Sequence, residues 1–178
     1  INSMNFKRVY TWDVHSVVSE ALINNIDNVP LEKICENHGP LLHDIETYDY
    51  TLVSPDAGAE KKVAKLANLL SVPYLTAYKI RDETTGKLSN AMIVQDKVPE
   101  NVCIIDDICD GGRTFINLAK VLRAKGARRV GLYVTHGIFS QGLDVLNEID
   151  SIYTTDTYLS KWHTSNSTKL HVKHITGL

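Results

Sequence analysis

The stretch of sequence that most constrains the fold runs from residue 102 to residue 114. An apolar run at 102–105 ends in two acidic residues, a turn containing Gly111 and Gly112 follows, and a helical pattern begins at Thr114. Glycines let backbone N–H groups approach a ligand closely, and the amino terminus of a helix offers unpaired N–H groups and a positive dipole end. The segment therefore predicts a strand, a turn and a helix, with the turn forming a cradle for a phosphate anion.

Short apolar runs alternate with helical patterns along the rest of the chain. The runs that we interpret as buried strands are 9–12, 50–53, 74–78, 91–95, 102–105, 130–134 and 151–154. The segments that we interpret as helices, from apolar residues recurring on one face, are 17–25, 59–70, 114–125 and 143–149. This order favours right-handed βαβ units, so we predict an α/β fold with a mostly parallel, twisted sheet flanked by helices. Ligands of such sheets bind beyond the carboxyl ends of the strands.

Composition excludes several classes of protein. Of the 178 residues, 43% are hydrophobic and 22% are charged, and the net charge of −2 gives no basic excess for general nucleic-acid binding. The apolar runs are far shorter than the roughly 20 residues that cross a bilayer, and residues 1–10 lack the layout of a signal peptide. Cys35, Cys103 and Cys109 form no C-x-x-C pair, so we expect reduced thiols, no zinc site and a cytoplasmic protein.

Asp106 and Asp107 stand directly before the predicted phosphate cradle. Two carboxylates alone would repel a phosphate, but they are well suited to hold the hydroxyls of a sugar or a Mg²⁺-bound polyol. The alternative is an ordinary turn in which both side chains are solvated. The residues by themselves leave both interpretations open.

Five further segments, in one order along the chain, resemble the ribose-phosphate pyrophosphokinases. They are 11–16 with Asp-x-His-Ser, 54–58 with Ser-Pro-Asp-x-Gly, 79–81 with Lys-x-Arg, 135–140, and 154–157. Type I phosphoribosyltransferases share the acidic loop that binds phosphoribosyl pyrophosphate, but they lack the first two of these motifs. The resemblance implies a fold like that of the type I phosphoribosyltransferases.

The resemblance also implies a reaction. The β,γ-diphosphate of ATP would pass, with Mg²⁺, to the anomeric hydroxyl of ribose 5-phosphate, giving phosphoribosyl pyrophosphate and AMP. By resemblance, His15 and Asp56 contact the metal–ATP complex, and Lys79 and Arg81 act with His15 in catalysis from a closing loop. Without the resemblance, His15 is an ordinary loop residue, Asp56 caps a helix, and Lys79 and Arg81 are a solvated pair of cations.

The acceptor residues implied by the resemblance lie in one loop. Asp106 and Asp107 would bind the 2- and 3-hydroxyls of ribose, and the residues that would hold the 5-phosphate are Asp110, Gly111, Gly112, Arg113 and Thr114. Gly111 stands where the family usually has a hydroxyl residue, and Arg113 where it has a small one. An opened pocket with an added cation would suit a substituted 5-phosphate, so ADP-ribose is an alternative acceptor. Cys109 is expected to be a small packing residue.

The resemblance further implies a division of the chain. Residues 1–45 would be the end of an amino-terminal pyrophosphokinase domain with its connection, and residues 46–178 a phosphoribosyltransferase-like carboxyl-terminal domain. The chain would then be incomplete alone, whereas the alternative is that Met4 is the true start. A dimer-based homo-oligomer is implied, with ATP and ribose 5-phosphate as small-molecule partners and with no nucleic acid or membrane.

Two other functions stay open beside diphosphate transfer to ribose 5-phosphate or ADP-ribose. A phosphoribosyltransferase would need a hood that recognises a base, and the sequence offers no candidate for one. A non-catalytic subunit is the second. The acidic, basic and histidine residues of the motifs are intact and argue against it, namely Asp13, His15, Lys79, Arg81, Asp106 and Asp107.

Overall fold

A computed structural model of the chain describes residues 1–81, 88–158 and 167–175, without the side chains at 79–81 and 88–90. The strands in these residues are β1 (Val9–Trp12), β2 (Ile26–Val29), β3 (Thr51–Ser54), β4 (Tyr74–Thr76), β5 (Tyr78–Arg81), β6 (Leu88–Met92), β7 (Asn101–Cys109), β8 (Arg129–Gly137), β9 (Ser151–Thr155) and β10 (Leu170–Lys173). The helices are α1 (Val17–Leu22), α2 (Leu31–Cys35), α3 (Gly39–Tyr48), α4 (Glu60–Leu70) and α5 (Arg113–Ala124).

The centre of the fold is a six-stranded sheet with the strand order β10-β9-β8-β7-β3-β4. Every pair of neighbours in it is parallel. Strands β7 and β8 have nine residues each and lie in the middle of the sheet. The predicted α/β fold with a mostly parallel sheet is therefore confirmed. Two small sheets lie outside it, a parallel pair of β1 with β2 and an antiparallel pair of β5 with β6.

Helices cover both faces of the central sheet, which explains why its strands read as continuous apolar runs. On one face, Ile104 of β7 belongs to a buried cluster with Phe115 and Leu122 of α5. On the other face, Ile105 belongs to a second cluster with Leu66 of α4, to which helix α3 also contributes. Successive residues of β7 thus point into different cores, as the period of a strand requires. The predicted division of the chain at residue 45 falls inside α3, and that division stays a prediction.

The helix predicted at 143–149 is wrong, because this segment contains only a 3₁₀ turn at Asp144–Leu146. Leu143, Leu146 and Ile149 are buried and recur at intervals of three. The N–H groups of Leu146 and Ile149 each donate to the carbonyl three residues earlier, at 3.1 and 3.0 Å. A spacing of three matches the 3.0 residues per turn of a 3₁₀ helix, whereas an α-helix would carry Ile149 away from the core.

Other differences arise where the local sequence is ambiguous. The helix predicted over 17–25 ends at Leu22, since Asn25 is left-handed with φ of 56° and β2 begins at the next residue. Strand β2 was not predicted because Asp27 and Asn28 interrupt its apolar character. Helix α3 was missed as well, since its capping residue is His38 and not Ser, Thr, Asp or Asn.

His38 lies in the interior and is fully buried. Its Nδ1 accepts a hydrogen bond from the N–H of Leu41 at 3.3 Å, and its Nε2 lies 3.1 Å from the carbonyl of Thr154, to which it donates. Burial lowers the pKa of His38 to about 4, and the hydrogen bond to Thr154 opposes that shift only in part. The folded protein therefore holds this ring neutral at ordinary pH.

We expect His38→Asn to reduce the acid sensitivity of the fold. Asparagine can still cap α3, but it does not titrate. The folded-state pKa lies below the unfolded value, so the stabilisation is complete above the unfolded pKa and is lost as the pH falls toward about 4. Between about pH 7 and about pH 5, the free energy of unfolding of the wild type should fall about 2 kcal/mol further than that of the variant. Urea denaturation at both pH values measures this, and equal losses in the two proteins would contradict it.

Candidate functional site

The sequence motifs meet at the carboxyl-terminal edge of the central sheet. Strand β7 is longer than the predicted run, so Asp106 and Asp107 lie inside it and not after its end. Asp106 is paired with Val134, and the register continues to Ile108 opposite His136. The long partner β8 extends β7 by supplying hydrogen bonds beyond the apolar residues. Asp106 is half-buried and Asp107 is buried, so the two carboxylates are held by the sheet and not by a loose turn.

Asp107 belongs to a polar network, which we define as Asp13, His15, Lys62, Asp107 and Thr135. Lys62 Nζ donates to Asp13 Oδ1 at 2.8 Å and to Asp107 Oδ2 at 3.2 Å. The His15 Nδ1 lies 2.9 Å from the same Asp107 oxygen, and Thr135 Oγ1 donates to Asp13 Oδ2 at 2.8 Å. Asp13 is only 2% exposed, and a buried charge of this kind is tolerated only when it is paired and hydrogen-bonded.

The β1–β2 pair sets the position of Asp13 and His15. Asp13 directly follows β1, has a left-handed φ of 43°, and donates its N–H to the carbonyl of Val29 at 2.8 Å. Aspartate tolerates this backbone conformation better than most residues. Burial lowers the pKa of Lys62, but the hydrogen bonds and charges of Asp13 and Asp107 outweigh it, so the net shift is upward. The lysine is therefore a permanent cation of the network.

The loop after β7 has the form that the sequence predicts. Gly112, with φ of 76°, precedes α5, and the N–H of Ile116 donates to its carbonyl at 3.0 Å. No side chain caps α5 within the described residues, so its first N–H groups remain open to an anion. The loop residues that are exposed are Asp110, Gly111, Arg113 and Thr114. Cys109 is buried behind them with its thiol pKa raised by burial to about 12, in agreement with a packing role.

Asp56 stabilises the turn that leads into helix α4. Its Oδ1 accepts a hydrogen bond from the N–H of Ala59 at 3.1 Å, and Ser54 Oγ donates to its carbonyl at 2.7 Å. Helix α4 itself has Ala59 at its cap position and no side-chain cap within the described residues, so Asp56 supports the turn before the helix and does not cap it. The metal role of Asp56 stays a prediction. Lys79 and Arg81 lie in β5, where Lys79 is paired with Ala91, but their side chains are outside the described residues.

The sequence predicts no role for Lys62 and Thr135 at this edge, and it predicts for His136 only a structural position or one near the substrate. Lys62 lies in a helix whose Lys61 looks equivalent in sequence, and only the placement of Asp13 distinguishes the two. Thr135 hydrogen-bonds Asp13, as described above. The His136 ring lies between the carbonyl of Trp12 at 3.0 Å and the hydroxyl of Thr157 at 2.7 Å, so it joins β1 to the central sheet. The last two lie within the motif segments, whereas no sequence signal singles out Lys62.

The donor set at this edge suits only some metals. In the part of the chain that the structure describes, no group of three or more His, Cys, Asp or Glu side chains is arranged to hold a metal ion. Mg²⁺ keeps several waters and is usually held by one or two carboxylates together with substrate phosphates. His15 and Asp56 therefore fit a Mg²⁺ that arrives with a nucleotide, and not an ion in an all-protein cage.

Among the residues that the structure describes, no helix is long and apolar enough to cross a membrane.

Comparison with known proteins agrees with this geometry. A family model described as "Phosphoribosyl transferase domain" matches residues 33–165. The chain is 30% identical over 147 residues to a ribose-phosphate pyrophosphokinase of Mycoplasmopsis pulmonis, covering 82% of this chain and 44% of that protein. It is 29% identical over 178 residues to ribose-phosphate pyrophosphokinase 2 of Schizosaccharomyces pombe, covering 96% of this chain and 54% of that protein.

A solved structure has the same fold. The phosphoribosylpyrophosphate synthetase of Mycobacterium smegmatis superimposes with a TM-score of 0.82 at 23% identity. The superposition covers 98% of this chain and 56% of that protein. The predicted likeness to the type I phosphoribosyltransferase fold is thereby confirmed. The chain spans about half the length of the curated relatives it matches.

We expect Gly112→Ala to damage the cradle and Gly111→Ala to leave the fold intact. A Cβ at position 112 would lie 2.6 Å from Leu146 Cδ2 on a left-handed backbone, which costs roughly 1–2 kcal/mol in backbone strain alone. A Cβ at position 111 meets only Gln141 Cγ, at 3.7 Å, so its effect should stay within about 0.5 kcal/mol. Chemical denaturation of both variants measures the difference, and equal stabilities would show that the loop relaxes freely.

Proposed function

Because the chain belongs to the phosphoribosyl transferase domain family, we propose that it carries two parts of a ribose-phosphate pyrophosphokinase. They are the site for the sugar acceptor and the part of the ATP site that contains His15. The proposed reaction transfers the β,γ-diphosphate of ATP to the anomeric hydroxyl of ribose 5-phosphate and releases AMP. One observation carries the proposal: the His15 ring contacts Asp107, an acidic residue of the strand that leads into the phosphate cradle. Acceptor and nucleotide motifs, far apart in sequence, thus share one edge of the sheet.

The proposed binding of ribose 5-phosphate is supported by the charge and geometry of the loop and of β7. The open amino terminus of α5 and the exposed side chains of Arg113 and Thr114 offer N–H, guanidinium and hydroxyl donors to the 5-phosphate. Asp106 and Asp107, held by β7, supply carboxylate acceptors for the ribose hydroxyls. A sugar bound in this way has one end fixed by donors and the other by acceptors, which orients its anomeric hydroxyl.

Transfer of the diphosphate would depend on neutralising its negative charge. Phosphoryl transfer needs positioning and electrostatic stabilisation more than covalent chemistry from the protein. Mg²⁺, when bound with ATP, would supply charge neutralisation on the phosphate oxygens. His15 and Asp56 would hold that complex at the edge of the sheet. Lys79 and Arg81, carried by β5, would place two cations near the transferred group and so lower the barrier.

The direct test is an assay on the longest natural form of the protein. It would be mixed with Mg²⁺ and ATP, offered ribose 5-phosphate or ADP-ribose separately, and followed by AMP release and by the mass of the product. AMP with ribose 5-phosphate supports the proposal. If no AMP is released with either acceptor, the proposal is overturned in favour of a non-catalytic subunit. If the protein instead consumes phosphoribosyl pyrophosphate when a nucleobase is offered, it is a phosphoribosyltransferase.

ADP-ribose remains the second candidate acceptor because of two features of the loop. Arg113 is exposed and makes no hydrogen bond or ion pair within the described residues. A Cβ at Gly111 would meet only Gln141 Cγ, at 3.7 Å, so the loop has room at this position for a methyl group. An exposed cation beside a loop with this room fits a second phosphate. AMP release with ADP-ribose alone would favour this candidate.

We expect Asp106→Asn to weaken the use of ribose 5-phosphate without unfolding the protein. Asparagine keeps the acceptor oxygen that receives the Asp107 N–H at 2.9 Å, but it loses the charge that strengthens a bond to a hydroxyl. A loss of about 1.5–3 kcal/mol corresponds to a fall of roughly ten- to a hundredfold in kcat/KM. Initial rates at varied ribose 5-phosphate give this number.

The matched control for that variant is Asp96→Asn. Asp96 is exposed and precedes the amino-terminal end of β7, at the opposite edge of the sheet from the cradle. Its substitution should leave kcat/KM within a factor of about two. Equal losses in the two variants would show that Asp106 does not contact the sugar.

A further inference from the structure

We propose that Lys62 is a positioning residue of this site. By bridging Asp13 and Asp107, it holds the Asp107 carboxylate against His15 and thereby leaves Nε2 of that ring open to the metal–nucleotide complex. The inference rests on the proposed function for the contact between His15 and the nucleotide. The network itself is a property of the chain without any ligand, so it can be tested separately.

Lys62 brings two buried carboxylates together. The side chains of Asp13 and Asp107 are only 2% and 9% exposed, so water screens their mutual repulsion poorly. The Lys62 ammonium lies 2.8 Å from one carboxylate and 3.2 Å from the other. Without this cation, Asp107 would lie near the buried charge of Asp13 with no opposite charge between them.

All the hydrogen-bond donors of the Lys62 ammonium are occupied. Its three N–H donors have three acceptors in the structure, the two carboxylates and the carbonyl of Val14 at 3.4 Å. Helix α4 is fixed against the sheet by the buried side chains of Val63 and Leu66, which follow Lys62 in sequence and lie in the core. Lys62 thus transmits a rigid helix position to Asp107.

The two oxygens of the Asp107 carboxylate differ in their contacts. Oδ2 receives both Lys62 and His15, whereas Oδ1 has no hydrogen-bond partner among the described residues and remains for a ribose hydroxyl. The His15 side chain is 75% exposed, so its contact with Asp107 is what orients the ring. A histidine that donates one ring nitrogen to a carboxylate presents the other as a ligand, an arrangement common at metal sites.

The first experiment reads the His15 ring directly. In ¹⁵N NMR spectra of the full-length protein without ligands, recorded at about pH 8, the His15 ring of the wild type should carry its proton on Nδ1. A His15→Gln variant assigns the resonances among the seven histidines. Lys62→Met should abolish the preference for Nδ1, whereas Lys62→Arg should largely keep it. An unchanged tautomer in Lys62→Met would overturn the proposal.

Two further variants separate positioning from stability. Lys61→Met removes the same charge from the neighbouring residue of α4, and it should behave like the wild type. Lys62→Met alone leaves Asp13 buried without its cation, so it is expected to be less stable. The double variant Asp13→Asn with Lys62→Met removes both charges of that pair, and it should recover stability while still lacking the His15 preference. A double variant with the wild-type tautomer would likewise overturn the proposal.

The link to the reaction is measured by nucleotide binding. Calorimetry of Mg²⁺–ATP binding should show about tenfold weaker affinity in the double variant than in Asp13→Asn alone, as expected for loss of a residue that orients a ligand. An altered tautomer with unchanged nucleotide affinity would show that the ring does not face the nucleotide. If the tautomer depends on Lys62 but the wild type transfers no diphosphate to either acceptor, the network stands and the proposed function fails.

Discussion

The ammonium of Lys62, lying between the carboxylates of Asp13 and Asp107, is the contact on which the arrangement of this molecule depends. It joins three segments that are distant in sequence: the turn after β1, the first turn of α4, and the carboxyl-terminal half of β7. An isolated pair of strands such as β1–β2 is marginally stable in water, and helix α1 beside it buries no residue. Polar contacts from Asp13 and the Trp12 carbonyl therefore do much to hold this pair to the central sheet.

The central sheet supplies rigidity where the site requires it. Strands β7 and β8 are buried along most of their length, with apolar cores on both faces. The acidic pair emerges from this core while still paired with β8, so its backbone is fixed before any ligand binds. Such preorganisation would reduce the entropy lost on binding the proposed sugar phosphate. The cradle itself, in contrast, is exposed, as the proposed anion site must be to admit a ligand.

The sequence predicts the parallel sheet well because its signals are local. Continuous apolar runs mark strands covered on both faces, and the acidic pair with the glycine turn identifies β7, its loop and α5. The sequence gives no signal for features that depend on residues far away along the chain. Lys62 has no feature that separates it from Lys61, because its function depends on Asp13, which only the folded chain brings near. Strand β2 and helix α3 are likewise determined by pairing with β1 and by the unusual His38 cap, which no propensity scale favours.

The packing of Leu146 against Gly112 has a consequence for sequence variation in this fold. The phosphate loop and the 3₁₀ turn at Asp144–Leu146 occupy one small volume, since the leucine fills the space in which a side chain at 112 would lie. Residues 112 and 146 are thus coupled in size, although only the first lies in the proposed anion site. A relative with a bulkier residue in the loop would need a smaller one at the turn, together with a right-handed backbone. Selection on the proposed substrate binding in this loop would therefore extend into the hydrophobic core behind it.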